Sequence, residues 1–358
     1  MLKIPFRRAG LVRALVASVS AAALSACSTL GYYGHLARGE YGLLAARRPI
    51  ERVVADPAVT DAVKARLRVA EQARTFASAR LKLPRNASYT QYADLQRPFA
   101  TWNVFAANEF SVDAVKRCYF LVGCLDYRGY FDRDRAQAEA ARLQAQGLET
   151  WIGGSAAYST LGWFADPILN TMLRRGDDDL AATIFHELAH QVVFVNGDTE
   201  FNESFATFVQ REGLDQWRQS RGLAAAADQE LAQDDAVARL VVGTRERLRS
   251  VYASSLPADV KRQRKQAEIE ALRSEYRRLR DTEWHGNGGY DEWIDTPINN
   301  AKLLPFGLYH RSVPAFAALF EQQQRDWPAF YAAVARLAKL APGARAAAID
   351  ALQRHQPP

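Results

Sequence analysis

The sequence is poor in cysteine, with three in 358 residues, at positions 27, 118 and 124. That count excludes a multi-bridge disulfide scaffold and a four-cysteine zinc module. Long apolar runs are also missing. The most hydrophobic segment, Ala14 to Leu24, is too short to span a bilayer comfortably. There is no internal repeat and no nucleic-acid-binding motif, so neither a solenoid nor a nucleic-acid partner is indicated. Histidine is scarce, six in all, which gives weight to any place where two stand close together. What is present is ordinary for a globular chain with a real core, 48% hydrophobic residues and room for one large domain or two.

The first 26 residues stand apart from that core. Lys3, Arg7, Arg8 and Arg13 form a basic start ahead of the apolar stretch. Leu24-Ser25-Ala26-Cys27 follows it and resembles a lipobox, the cleavage and acylation site of a bacterial lipoprotein. The reading is a signal peptide over 1–26 and a single mature domain over 27–358, with Cys27 lipidated. The alternative is a plain signal peptide cut near Ala26. Removing four basic residues takes the net charge from +6 to +6 − 4 = +2, so the basic pI says little about partners. An exported chain meets an oxidising compartment, where Cys118 and Cys124 can close a small loop; two buried thiols are the alternative.

Along the mature chain, Thr60 to Leu81 has the spacing of an amphipathic helix, and Phe99 to Phe110 reads as a strand. Asp132 starts a helix that Gly147 stops, and Thr150 opens another strand. This order predicts an α+β fold, predominantly helical, with a small β-sheet beside the helix described next. Residues 224 to 282 are rich in Ala, Arg, Glu, Gln and Leu with one breaker, Pro257, and predict a long helical hairpin. Its basic cluster at 261–265 alternates with acids and reads as a solvated face.

The chemistry concentrates between Asp179 and Gly213. His186, Glu187 and His190 form H-E-x-x-H on a helix whose Leu180, Ile184, Leu188 and Val192 recur at core spacing. Residues four apart share one helix face, so both imidazoles can meet one ion. A second helical segment, after the turn Asn196-Gly197-Asp198, carries Glu203 as the third candidate ligand. Two histidines and a carboxylate with an open fourth position are a zinc donor set. Glu187 at the edge of that face is placed to act as general base.

HELAH followed by NESFA resembles the gluzincin branch of zinc metallopeptidases. More closely, the chain resembles a family of bacterial lipoproteins described as predicted aminopeptidases. The matching pieces are Cys118 with Cys124, Tyr127 to Phe131 (YRGYF), Tyr158 to Phe164 (YSTLGWF), the histidine segment, Thr296 to Asn300 (TPINN) and Val313 to Phe316 (VPAF). The resemblance implies a zincin-like core and a zinc-dependent peptidase held in the bacterial envelope. It would be lipid-anchored, facing the periplasm, at the outer membrane. Its partners would be a peptide substrate and the membrane. Two other readings stay open, an inactive zinc-bearing envelope scaffold and an enzyme of peptidoglycan stem peptides. By analogy with such enzymes, Gly154, Ser155, Ala156 and Tyr158 form an edge that could hold an extended substrate. Tyr309 or His310 could donate to the oxyanion. Two departures are visible. No glutamate motif for a free α-amino group is found. Thr207 also stands where thermolysin-like enzymes carry an aspartate behind a zinc histidine. The partner is then expected from Asp177, Asp178, Asp179 or a backbone carbonyl.

Overall fold

The computed structural model describes residues 31–119, 123–224, 228–310 and 312–354, with backbone alone at 228–231 and 307–310. The expected signal peptide and Cys27 lie outside the described residues. The chain divides into two units, Met1–Ala45 and Ala46–Pro358. The described part of the first is a helix, α1, over residues 31–45.

In the second unit, β1 (Arg47–Pro49), α2 (Ile50–Ala55) and α3 (Asp61–Ala79) precede strands β2 (Gln91–Ala93), β3 (Thr101–Ala107), β4 (Arg117–Tyr119), β5 (Gly123–Leu125) and β6 (Tyr127–Tyr130). Helix α4 (Arg133–Gln144) and strands β7 (Glu149–Ser155) and β8 (Ile168–Leu169) lead to α5 (Asp177–His190) and α6 (Thr199–Ser220). The remainder is helical: α7 (Asp228–Ala253), α8 (Ala258–Thr282), α9 (Asp291–Asp295), α10 (Asn300–His310), α11 (Val313–Gln322), α12 (Trp327–Ala338) and α13 (Pro342–Arg354). The unit is mainly helical with small sheets, the α+β class that the sequence pattern predicts. No helix among the described residues is long and apolar enough to cross a membrane.

Several helix starts follow directly from short polar side chains. Asp132 Oδ1 accepts from Arg135 N at 2.9 Å, Asp198 Oδ1 from Phe201 N at 3.1 Å, and Asp326 Oδ1 from Ala329 N at 2.8 Å. Each satisfies an N–H that the first helical turn leaves without a partner. The helical hairpin is α7 and α8, broken at Pro257 as its ring requires. It builds a core of its own, in which Val241, Leu248, Leu272 and Tyr276 pack with Ile294 and Leu303.

The larger sheet is antiparallel, ordered β6-β3-β7, which leaves β7 at an edge. A second sheet runs β1-β2-β8, and β4 pairs with β5 so that Cys118 faces Cys124. The structure joins these two cysteines by a disulfide. Helix α10 packs on β3 and β7, with Ala301 and Leu304 buried against Phe105 and Ala107. It also packs on α6, whereas α5 packs on α6 and α3. The sheet expected beside the H-E-x-x-H helix therefore reaches the helix pair through α10.

Helix α6 is buried on two opposite faces. Phe205 and Phe208 pack against Phe316, Phe320 and Phe330 from α11 and α12. The other face meets α5. At Gly213 a Cβ would stand 2.7 Å from Leu81 Cδ1 and 3.0 Å from Phe185 Cδ2. The missing side chain lets α6 close onto α5.

A buried polar network ties the hairpin, sheet and α10 together, and it accounts for the TPINN segment. Asn300, fully buried, donates through Nδ2 to the carbonyls of Asn108 and Glu109 at 3.0 and 2.8 Å. Its Oδ1 accepts from the Tyr252 hydroxyl at 2.9 Å, and its backbone N–H donates to Glu149 Oε2 at 2.7 Å. Lys265 from α8, also buried, pairs with the same Glu149. Truncating Asn300 removes the acceptor of the Tyr252 hydroxyl and the donor to the Asn108 carbonyl, while the Glu109 carbonyl keeps Lys265 Nζ at 3.3 Å. Asn300→Ala should lower unfolding stability by about 3 kcal/mol at unchanged denaturant slope, read from urea titration. A loss under about 0.5 kcal/mol would show that the network adds little.

Candidate metal centre

The site is built at the α5–α6 interface. Leu180, Ile184 and Leu188 are fully buried on one side of α5. That places His186 and His190 together on the side that faces α6. Helix α5 stops at His190, six residues before the expected turn. The following run, Val192, Val193 and Val195 around Phe194, is a poor helix former. A side chain also takes the place of the helix at Val195. Asn202 Nδ2 donates to Val195 O at 2.9 Å, and Asn202 Oδ1 accepts from Val195 N at 2.8 Å. Gly197, at φ +79°, completes the turn in a conformation open to glycine. The next residue after Asn202 is Glu203.

His186 Nε2 lies 3.2 Å from Glu203 Oε2 and 3.2 Å from His190 Nε2, and His190 Nε2 is 3.7 Å from the same carboxylate oxygen. Among the described residues, these three form the one cluster of its kind able to hold a metal ion. Donors bound tetrahedrally at about 2.0–2.1 Å stand about 3.3 Å apart, so the spacing fits such an ion. The electrostatics fit as well. Burial opposes charge on Glu203, but His190 and the hydrogen bonds from both imidazoles prevail and hold its carboxyl at about 2. Burial likewise works against charge on His186, yet Glu203 raises it above its ordinary value. In the absence of a cation, protons fill the place between these donors. The Nδ1 atom of His190 is buried without a hydrogen-bond partner among the described residues.

Glu187 sits within reach of this charge cluster. Burial pushes its carboxyl up, against the pull of His186 and His190, and the charges of Glu203 and Asp166 add to the rise. A carboxyl so placed can take up a proton and release it again. Asp166, also buried, accepts from Thr160 N at 2.9 Å and Thr160 Oγ1 at 2.8 Å. Its carbonyl accepts from Tyr89 N at 2.6 Å. Tyr89 is fully buried at φ +62°, and burial, with Glu187 and Asp166 nearby, raises its phenol well above the ordinary value. The YSTLGWF segment is thus folded around Asp166 beside Glu187, while Trp163 and Phe164 face solvent.

The other sequence candidates fall as follows. Gly154 and Ser155 end the edge strand β7. The Ala156 carbonyl accepts from Thr171, and Tyr158 stacks on Phe131 at 4.8 Å. The side chains of Tyr309 and His310 lie outside the described residues. Their helix, α10, ends just before Ser312, whose N–H donates to Ser204 Oγ at 3.4 Å, next to Glu203. The three aspartates considered as backing for a histidine are engaged elsewhere. Asp177 pairs with Arg66, Asp178 with Arg218, and Asp179 Oδ2 accepts from Gly176 N at 3.2 Å. The residue that does back His186 is Gln210, whose Oε1 lies 2.9 Å from Nδ1. Sequence reasoning passed over it, although its seven-residue separation from Glu203, two helical turns, is a same-face signal. Asn202 and Asp166 were also missed, and no spacing rule points to either.

Fold and site together define a mainly helical α+β protein with a His–His–Glu cluster suited to a metal. The family model described as "Putative aminopeptidase" matches residues 31–349, and the chain belongs to that family. No curated protein and no solved structure matches it.

Metal loading tests the cluster. Wild type should bind one divalent ion per chain by elemental analysis after desalting. His186→Ala, His190→Ala and Glu203→Ala should each lose it, since each removes one of three ligands. Glu212→Ala should keep it, because Glu212 lies nine residues past Glu203, on the opposite face of α6, paired with Arg325. Full occupancy in Glu203→Ala would place the third ligand elsewhere.

Proposed function

We propose that the protein is a zinc-dependent peptidase of the gluzincin type, held in the bacterial cell envelope by a lipid on Cys27. The observation that carries this reading is the convergence of His186, His190 and Glu203 donors beside the half-buried carboxyl of Glu187. Membership of an aminopeptidase family supports hydrolysis of peptide bonds as the reaction. His186, His190 and Glu203 would hold the zinc. Zinc, when bound in such a site, activates water and polarises the scissile carbonyl.

The chain's own groups do the rest. Glu187 accepts the proton of the attacking water and returns it to the leaving amine. Its position in a low-dielectric pocket, with its carboxyl pushed up, favours both halves of that transfer. The edge strand β7 offers a track for substrate. Thr150 O accepts from Asn299 Nδ2 at 3.0 Å on the side away from β3. Backbone groups alternate along a strand, so the N–H and C=O of Ile152 and Gly154 point the same way. An extended peptide can pair there, as in other edge-strand recognition. Tyr309 and His310, at the end of the helix tied to Ser204, are our candidates for donating to the oxyanion.

Glu187→Gln should keep its zinc and lose hydrolysis by at least about a thousandfold, because the amide cannot accept a proton. The assay compares amino-acid amides, blocked peptides and peptidoglycan stem peptides. Full activity in the variant would remove Glu187 from the mechanism. If wild type cleaves none of the three, the scaffold reading stands instead. The anchor is tested separately. Metabolic labelling with a fatty acid should mark wild type and not Cys27→Ala, and equal labelling of both would rule the anchor out.

A further inference from the structure

We propose that Gln210 is a positioning residue that selects the tautomer of His186. As a neutral partner it also leaves that histidine a weaker donor than a carboxylate would. The proposal rests on the metal reading of the site given above. One face of α6 brackets a single imidazole at both of its nitrogens. Glu203 Oε2 stands 3.2 Å from Nε2, and Gln210 Oε1 stands 2.9 Å from Nδ1. The two residues are seven apart, so both side chains leave α6 in the same direction.

A neutral imidazole has one proton to give. Two acceptors compete for it here. If the proton sits on Nε2, it bonds Glu203 and closes the nitrogen that a cation needs. If it sits on Nδ1, it bonds Gln210 and Nε2 keeps its lone pair. The amide favours the second arrangement without adding charge, because it gives the N–H an acceptor on Nδ1 when Nε2 is turned to a cation. An amide turned the other way would donate to Nδ1 and drive the proton onto Nε2, so only the arrangement with Oε1 inward serves ligation.

The identity of the residue matters as much as its place. Metal-bound histidines are commonly backed by a carboxylate, which pulls on the N–H and makes the ring a stronger donor. Here the nearer same-face position is Thr207, buried and short. Asp177, Asp178 and Asp179 are held by Arg66, Arg218 and the Gly176 N–H. Among the described residues, nothing hydrogen-bonds Nδ1 of the second histidine. The ligand set then carries one negative charge, from Glu203. A cation held this way stays more electron-poor, which favours its work on water and carbonyl over tightness of binding.

Two measurements test this on the purified mature protein. The first is nitrogen-15 NMR of the imidazoles in the metal-free protein, at alkaline pH where the rings are neutral. Wild type should show a larger share of the Nδ1–H form of His186 than Gln210→Ala does, although the ionised Glu203 is the stronger acceptor. The variant should move toward the Nε2–H form, since Glu203 then has the proton to itself. An equal tautomer ratio in wild type and variant overturns the proposal. The second is zinc affinity by competition with a chromophoric chelator. Gln210→Ala should bind zinc about 10–100-fold more weakly, and Gln210→Glu should bind it more tightly than wild type. A purely structural role for Gln210 predicts weakening in both variants, so weakening in Gln210→Glu counts against the proposal. Circular dichroism confirms that each variant is folded. If wild type itself binds no zinc, the metal reading fails, and the NMR comparison still decides what Gln210 does to His186.

Discussion

Three electron-pair donors crowded into one largely buried volume repel one another unless positive charge lies among them. His186, His190 and Glu203 are in that situation, with separations of 3.2 to 3.7 Å in a pocket that water barely reaches. Protons can supply the charge, and so can a metal ion, but the fold has to meet the need in some form. Much of the surrounding architecture answers to it. The Phe205 and Phe208 face of α6 is sunk in the aromatic core of α11 and α12, which holds the helix down on α5. The Asn202 clamp fixes the chain between the two helices one residue before the carboxylate is presented.

Parts of this were open to a reader of the sequence. Helical periodicity alone puts His186 and His190 on one face, and a turn with Asn196 and Gly197 forces the second helix to return past it. The meeting of the three donors follows from local geometry, which is why it could be read. Gln210 was half legible. Its spacing from Glu203 can be counted, but whether it meets a histidine depends on how α6 is turned against α5. Asp166 and Tyr89 could not be read. They come to Glu187 from distant segments, through a loop shaped by its own hydrogen bonds and a left-handed backbone at Tyr89.

The fold class was legible for a similar reason, and the packing order was not. Amphipathic spacing and breakers mark the long helices and the two long strands to within a few residues. Nothing in them says that α10 inserts between the larger sheet and α6. Ala301 and Leu304 seat it on β3, and the buried polar ties of Asn299 and Asn300 hold it to β7. Two neighbouring asparagines, easily read as loop residues, are what join α10 to the edge of β7.

The attachment of both Glu203 and Gln210 to one rigid rod has a mechanical consequence. Side-chain tips lie about 6 Å from a helix axis, so a twist of α6 by about 10° moves each by about 1 Å. Both contacts to His186 would then slip together, one on each nitrogen. Sliding along the axis would stretch one contact while relaxing the other, but twisting spares neither. The two restraints on that twist sit at opposite stations of the rod. The Asn202 clamp grips the first turn, and the bare Cα of Gly213 seats against Phe185 three turns on. Torsional stiffness of a single helix is therefore the mechanical property on which this centre's geometry turns.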